Sequence, residues 1–368
     1  MADNEKKKGG MKMLPYVIVL VILAVSALFS IREVKESDTD IHRKKKTFLL
    51  LFSCSLLYLL MILKAPLAGD YSRYADNFLN SAGKSFRFYL ERKKEVGFYM
   101  FTKLLSEISL STFFYFAVTS AIVCICLFFF LNRYAYNKKY AVYFYYTIGL
   151  FAFSFAGLRQ TLAMSLCLFA YEAIRKRKPV RFLLLVGIAF LFHKSAAFFL
   201  PAYFLGRIPW KAKYHIPILL AYGITGILFD RLYGVIASWL DYDYGIESTG
   251  NGSIFLIILI IIGFLGIIYR KELMALDKDS LLFLNMHFVV ILLWLFRLFT
   301  RTAERPAFYY LYGSIILLDR ILSLKQQETE KEKTRKFLLL FSVVLFGVFF
   351  LYRTLRDGNL TPYVWILG

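Results

Sequence analysis

Cysteine is scarce in this chain: four residues in 368, Cys54, Cys124, Cys126 and Cys167, each inside an apolar stretch. A free thiol there behaves as a small hydrophobe, and the spacing gives neither a disulfide framework nor a zinc site. Acid is scarce too, 25 Asp and Glu against 46 Lys and Arg, for a formal net charge of +21. The basic residues sit in short segments between long apolar runs, which is the orientation signal of a polytopic membrane protein. No basic, aromatic groove for single strands lies outside those runs, so no nucleic-acid partner is expected. A Gly-rich phosphate loop and an H-x-x-x-D pair are missing from the basic segments, which leaves cytosolic nucleotide or acyl-CoA chemistry without a home. A cleavage site is missing as well. Lys6 to Lys8 precede the apolar run Leu14 to Ser30 as in a signal peptide, but no small-residue site follows, so an uncleaved first helix is expected.

What is present is hydrocarbon: 59% of residues are hydrophobic and the mean hydropathy is +0.57, the composition of a membrane protein. At roughly 17 to 25 residues per crossing, the expected spans are 14–30, 47–63, 111–131, 140–156, 158–174, 214–230, 253–269, 281–299, 306–322 and 336–353. The fold class is thus an all-α polytopic membrane protein of about ten transmembrane helices in one integral domain, 1–368. The run 181–206 either crosses once, giving eleven spans, or enters and turns back near His193. Only the re-entrant reading places 206–215, 269–279 and the charged loop 324–335 on the cytoplasmic side, as the Lys/Arg bias requires. It leaves the acidic, Tyr-rich loop 231–252 outside. It also needs a backbone break at membrane depth, which is tolerated where protein or a water-filled cavity covers it.

With that orientation four polar clusters share the extracytoplasmic side. The loop 64–95 carries "APLAGDYSRYADNF", with Asp70, Tyr71, Arg73, Tyr74 and Asp76, and continues to "ERKKEVGF". A basic loop on the wrong side of the charge rule suggests an anionic ligand, the plain alternative being contact with lipid headgroups. In "FAGLRQTLAMSL", Arg159 and Gln160 open a helix whose free N–H groups and dipole favour an anion; a snorkelling anchor is the alternative. In "FLFHKSAAF", His193 sits at the expected turn, with Lys194 and Ser195 leading a returning half-helix. Ionisable groups at that depth are costly and tend to mark function, and histidine suits proton transfer near neutrality. In "LFRLFTRTAERPAFYY", Arg297, Arg301 and Arg305 recur at i, i+4, i+8, one helical stripe that repels itself unless an anion sits between the guanidinium groups. Together these clusters describe a site for a phosphate-bearing substrate at the outer leaflet.

"GDYSRY", "EVGF", "GLRQTLAMSL", "FHKSAAFFLP" and "RTAERPAFYYL", in this order from about residue 65 to 315, resemble the EpsG family of Wzy-like polysaccharide polymerases. The resemblance implies a GT-C-like polymerase of exopolysaccharide, capsule or O-antigen in the bacterial plasma membrane. It would join undecaprenyl-pyrophosphate-linked oligosaccharide repeats on the outer face, without metal or cofactor, in membrane lipid and with a possible chain-length regulator as partner. It places functional weight on Asp70 and Tyr74, on Arg159 and Gln160, on Phe192 and His193, and on Arg305 and Tyr309. Lys194 departs from the pattern, which has an uncharged residue after the histidine. The chemistry then expected is an inverting glycosyl transfer. His193 or Asp70 is the base, Arg159, Arg301 and Arg305 stabilise the departing pyrophosphate, and Tyr71, Tyr74, Tyr242 and Tyr244 stack on sugars. A lipid-glycan flippase and a membrane-bound O-acyltransferase are the rival readings; the first predicts internal repeats, and no two halves of the chain resemble each other.

Overall fold

The computed structural model describes residues 13–29, 40–67, 69–91, 95–228, 234–235, 238, 252–298, 304–324 and 329–366. Arg301, Tyr242, Tyr244 and most of the loop 231–252 lie outside the described residues. Every regular element among those described is helical, with a single isolated bridge, Lys64 to Trp365. The helices are α1 (Leu14–Phe29), α2 (Asp40–Ile62), α3 (Gly69–Ser81), α4 (Phe86–Leu90), α5 (Val96–Ile108), α6 (Thr112–Tyr134), α7 (Lys138–Thr147), α8 (Leu150–Ala156), α9 (Leu158–Arg175) and α10 (Pro179–Phe192). After a 3-10 helix (Lys194–Phe199) come α11 (Ala202–Leu205), α12 (Ala212–Ile227), α13 (Ser253–Ile268), α14 (Arg270–Leu276), α15 (Ser280–Phe296), α16 (Glu304–Ser323) and α17 (Thr329–Arg356).

By length and composition, α6 and the Glu332–Arg356 part of α17 are long and apolar enough to cross a membrane; α13 with α14, bent by 71°, makes a third if the pair is one span. Others of the expected spans are shorter: α1 has 16 residues, about 24 Å at 1.5 Å per residue, against a hydrocarbon core of about 30 Å. One expected span is not a single helix. Gly149 stands at φ +112°, a left-handed conformation that separates α7 from α8, so 140–156 is a broken segment. The expected outer loop 64–95 is itself largely helical.

The chain forms two compact units. The first comprises residues 1–169, 191–193 and 325–368. In it α2 packs along α6, while α1 and α17 flank α7. Every residue from Tyr140 to Thr147 is buried, as expected of a helix that is apolar all round. Two phenols in this core donate to carbonyls in series: Tyr146 to Tyr16 O (2.9 Å) and Tyr16 to Leu360 O (3.0 Å). Ser111 and Asn137 cap α6 and α7, accepting from the N–H groups of Phe114 and Lys139.

The second unit comprises residues 170–190 and 194–324. Its centre is the antiparallel-connected pair α15 and α16 with α13 beside both. His287 ties the three together: its Nδ1 is 2.8 Å from Ser314 Oγ and its Nε2 2.9 Å from Leu259 O. At one end of this unit Arg207 Nε donates to Ile174 O (3.2 Å), Arg175 Nη1 lies 3.6 Å from Asp279, and the buried Arg320 donates to Ser280 (2.8 Å) and Asp277 (2.9 Å). The chain that leaves Arg175 is therefore back beside it at Arg207. At the other end Trp294 Nε1 donates to Gly252 O (3.1 Å) and Arg297 pairs with Glu304 (3.1 Å).

Two sequence expectations are corrected here. The segment led by Lys194 and Ser195 is a six-residue 3-10 helix rather than a returning α half-helix. Pro201 cannot donate to the carbonyl of Ala197, so an α-helix begun at Lys194 would break within two turns. The arginine stripe is not carried on one helix either. Helix α15 stops at Phe296, Arg297 caps it, and Arg305 stands in the first turn of α16. Pro306 fits the first turn of a new helix, whereas inside a continuous one it would remove a hydrogen bond and clash with residue 302.

Candidate functional site

The first unit gathers its polar residues around α3. Asn359 accepts the N–H of Asp70 through its side chain (2.9 Å), satisfying one of the donors that a helix start leaves open. Tyr71, Tyr74, Ala75 and Phe78 then recur at helical spacing on the buried face, and Arg73 and Asp76 face outward. Tyr71 is a core residue: its ring packs on Phe116 and Phe155 and its hydroxyl donates to Met61 O (3.2 Å). Asp70 is paired with Arg73, whose side chain is 74% exposed. Beside Tyr71, burial pushes the Lys64 ammonium down to about 8 against the attraction of Asp357.

Tyr74 leads to the centre of the cluster. Its hydroxyl is hydrogen-bonded to Arg159, and burial pushes its phenol up despite the pull of that cation. Arg159 stands in the first turn of α9, where the sequence placed it, beside the buried Gln160. Its guanidinium also pairs with Glu95, and Glu95 Oε1 is 3.6 Å from His193 Nε2. At that distance the histidine contact is electrostatic rather than a hydrogen bond. The carboxylate and the imidazole are both nearly buried, with side chains 9% and 6% exposed, so a proton taken up by the imidazole would meet the carboxylate with little screening by water.

Backbone geometry brings these groups together. Glu95 has φ +50°, in the left-handed region, a conformation that costs a residue with a Cβ of the order of 1 to 3 kcal/mol and concentrates at functional sites. Two residues on, a Cβ at Gly97 would stand 2.8 Å from Leu191 Cβ and 3.1 Å from its carbonyl. Glycine there lets the start of α5 lie against Leu191 to His193, and the rings of Phe101 and Phe192 meet at 5.8 Å.

In the sequence Glu95 reads as a mere countercharge in a basic loop. The signal that could have found it is the motif "EVGF" itself, an acid placed two residues before a glycine at the mouth of an apolar helix.

The second unit holds the remaining candidates. Ser195 Oγ lies 3.0 Å from the hydroxyl of the buried Tyr309, whose carbonyl accepts from Tyr171 (3.1 Å). Lys194, beside Ser195, is half-buried, as is Arg305. Arg297 is buried and pairs through Nε with Glu304, while its Nη1 has no hydrogen-bond partner among the described residues. Among the described residues no three His, Cys, Asp or Glu side chains gather in a way that could hold a metal ion.

A carboxylate held between a guanidinium and an imidazole can stabilise the ring once protonated, which supports the ring as a base in nucleophile activation. The EpsG family model matches residues 47–365. The chain belongs to the EpsG family. The resemblance carried by "GDYSRY" through "RTAERPAFYYL" is thereby borne out, and the matched range includes Asp70, Glu95, Arg159, His193 and Arg297. No curated protein and no solved structure matches the chain. As a member of the EpsG family it is a membrane protein of polysaccharide biosynthesis.

Proposed function

We propose that this EpsG protein is a polysaccharide polymerase of the bacterial plasma membrane, an inverting glycosyltransferase that joins undecaprenyl-pyrophosphate-linked repeats on the outer face. The observation that carries the reading is the Glu95 carboxylate between Arg159 and His193. His193 takes the proton of the acceptor hydroxyl as its oxygen bonds to the anomeric carbon of the donor glycan. The bond from that carbon to the pyrophosphate oxygen breaks on the opposite face, and the electron pair leaves with the pyrophosphate. Glu95 stabilises the imidazolium formed. Guanidinium N–H groups of Arg159 beyond those engaged by Glu95 and Tyr74 neutralise charge that develops on the leaving group. Asp70, engaged by Arg73, is not the base in this reading.

The same proposal takes about ten crossings with a re-entrant segment between residues 181 and 206. Its support is the return of Arg207 to Ile174 and of Asp279 to Arg175, which puts the three basic segments of this region at one end, as the positive-inside rule asks of a cytoplasmic face. Glycan chain length in cells carrying His193→Ala, at matched protein level in the membrane, tests the function. Single repeats accumulating outside in place of long polymer are expected; repeats retained inside would indicate a flippase, and unchanged polymer would refute the assignment of His193.

A further inference from the structure

The second unit contains a cavity of about 240 Å³ with an almost entirely apolar lining. One wall is a stripe of α15 with Phe288, Leu292 and Phe296; Ile218 and Tyr222 of α12 and Phe198 of the 3-10 helix face it. The Tyr222 and Phe296 rings meet at 4.5 Å. Asn285 closes one end, its Nδ2 donating to Ile208 O (2.9 Å). Its buried Oδ1 has no partner among the described residues, and hydrocarbon would offer none, so an apolar occupant stops short of it. The length left along the helix, Phe288 to Phe296, is about 12 Å at 1.5 Å per residue, and the volume holds roughly eight water-sized groups.

The other end of the stripe is next to a charge. One residue beyond Phe296 stands Arg297, buried, with Glu304 on Nε and Nη1 unpartnered among the described residues. A hydrocarbon slot with a buried arginine one residue beyond its last lining side chain on α15, and an N–H group of that arginine unpartnered among the described residues, matches a lipid bearing phosphate at the head of its chain. We infer that this groove holds the first isoprene units of the lipid-linked substrate, with the phosphate toward Arg297. The choice of an isoprenoid over an acyl chain rests on the proposed polymerase function; the groove and its charged end do not.

The test uses the full-length protein in nanodiscs of phosphatidylethanolamine and phosphatidylglycerol, with a polyprenyl phosphate carrying a diazirine in its second isoprene unit. Labelling is expected in the peptides of α12 and α15, competed by undecaprenyl phosphate and not by added phosphatidylglycerol. It is expected to fall at least tenfold in Leu292→Trp and in the milder Val289→Phe. Labelling elsewhere, or equal competition by phosphatidylglycerol, overturns the inference. So does undiminished labelling in a filled variant that keeps its wild-type melting temperature. If neither variant folds, the map and the competition on the wild-type protein decide alone. Failure of the function is read separately: His193→Ala keeps full labelling, and long polymer in that strain would refute the polymerase mechanism while leaving the groove result standing.

Discussion

Replacing Glu95 with glutamine changes one oxygen to nitrogen and removes one charge, with almost no change in shape. In the native protein the carboxylate lies 3.6 Å from His193 Nε2, both side chains nearly buried. With an effective dielectric constant of about 20, an imidazolium formed there is stabilised by about 4 to 5 kcal/mol. The neutral amide would offer only its dipole. If some two-thirds to all of that attraction is present in the transition state, the loss corresponds to a factor of about 10² to 10³ in rate, at roughly 1.4 kcal/mol per tenfold. The amide oxygen can still accept from Arg159, so the variant is expected to fold. The assay is the initial rate of chain extension by purified protein in nanodiscs supplied with lipid-linked repeats, with melting temperature measured alongside. A rate within threefold of wild type in a folded Glu95→Gln protein would refute the claim that this carboxylate supports His193.

Gly97→Ala places a methyl group 2.8 Å from Leu191 Cβ and forces α5 away from residues 191–193; a displacement of about 1 Å at a reacting pair can cost of the order of 10² in rate. Chain extension is expected to drop by about that factor at normal protein level, and a fully active variant would show that the close approach is not needed. For Lys64, the folded state prefers the neutral amine, with a value of about 8 against an ordinary 10.5. Between those limits the unfolded chain binds more protons, so stability rises with pH through this window and is lowest below it. Lys64→Met is expected to melt about 2 to 4 °C higher than wild type at pH 7, with the difference vanishing above pH 10.5; parallel pH profiles for the two proteins would contradict this.

The long apolar helices were legible because hydrocarbon composition alone determines them. Thr112–Tyr134 is recovered almost whole from the run 111–131. The broken helix at Gly149 was not, because a single glycine in an apolar run is as compatible with a helix as with its interruption. Helix α3 hid behind its charges: aromatic residues at 71, 74 and 78 follow the helical period, but Asp70, Arg73 and Asp76 between them read as a loop. The spacing of Arg297, Arg301 and Arg305 misled in the opposite direction, since i, i+4, i+8 brings side chains together only if the helix continues. His193 was singled out from the cost of an ionisable group at membrane depth and its fitness for proton transfer, and Arg159 from its place at a helix N-terminus. Glu95 was not, because its importance lies in contacts reaching 64 residues along the chain to Arg159, and no local pattern encodes these.

The first unit is discontinuous in sequence, and that sets an order on its biogenesis. Asn359, Leu360, Tyr363 and Trp365 hold Asp70, Tyr16, Leu60 and Lys64 respectively. The bond from Asp70 to Asn359 spans 289 residues, which a ribosome making about 5 to 20 residues per second covers in roughly 15 to 60 s. Throughout that interval α3 is already synthesised, yet an N–H of its first turn, that of Asp70, waits for the acceptor that arrives with Asn359. A chain halted after residue 324 would contain every residue of the second unit and still lack the latch of the first.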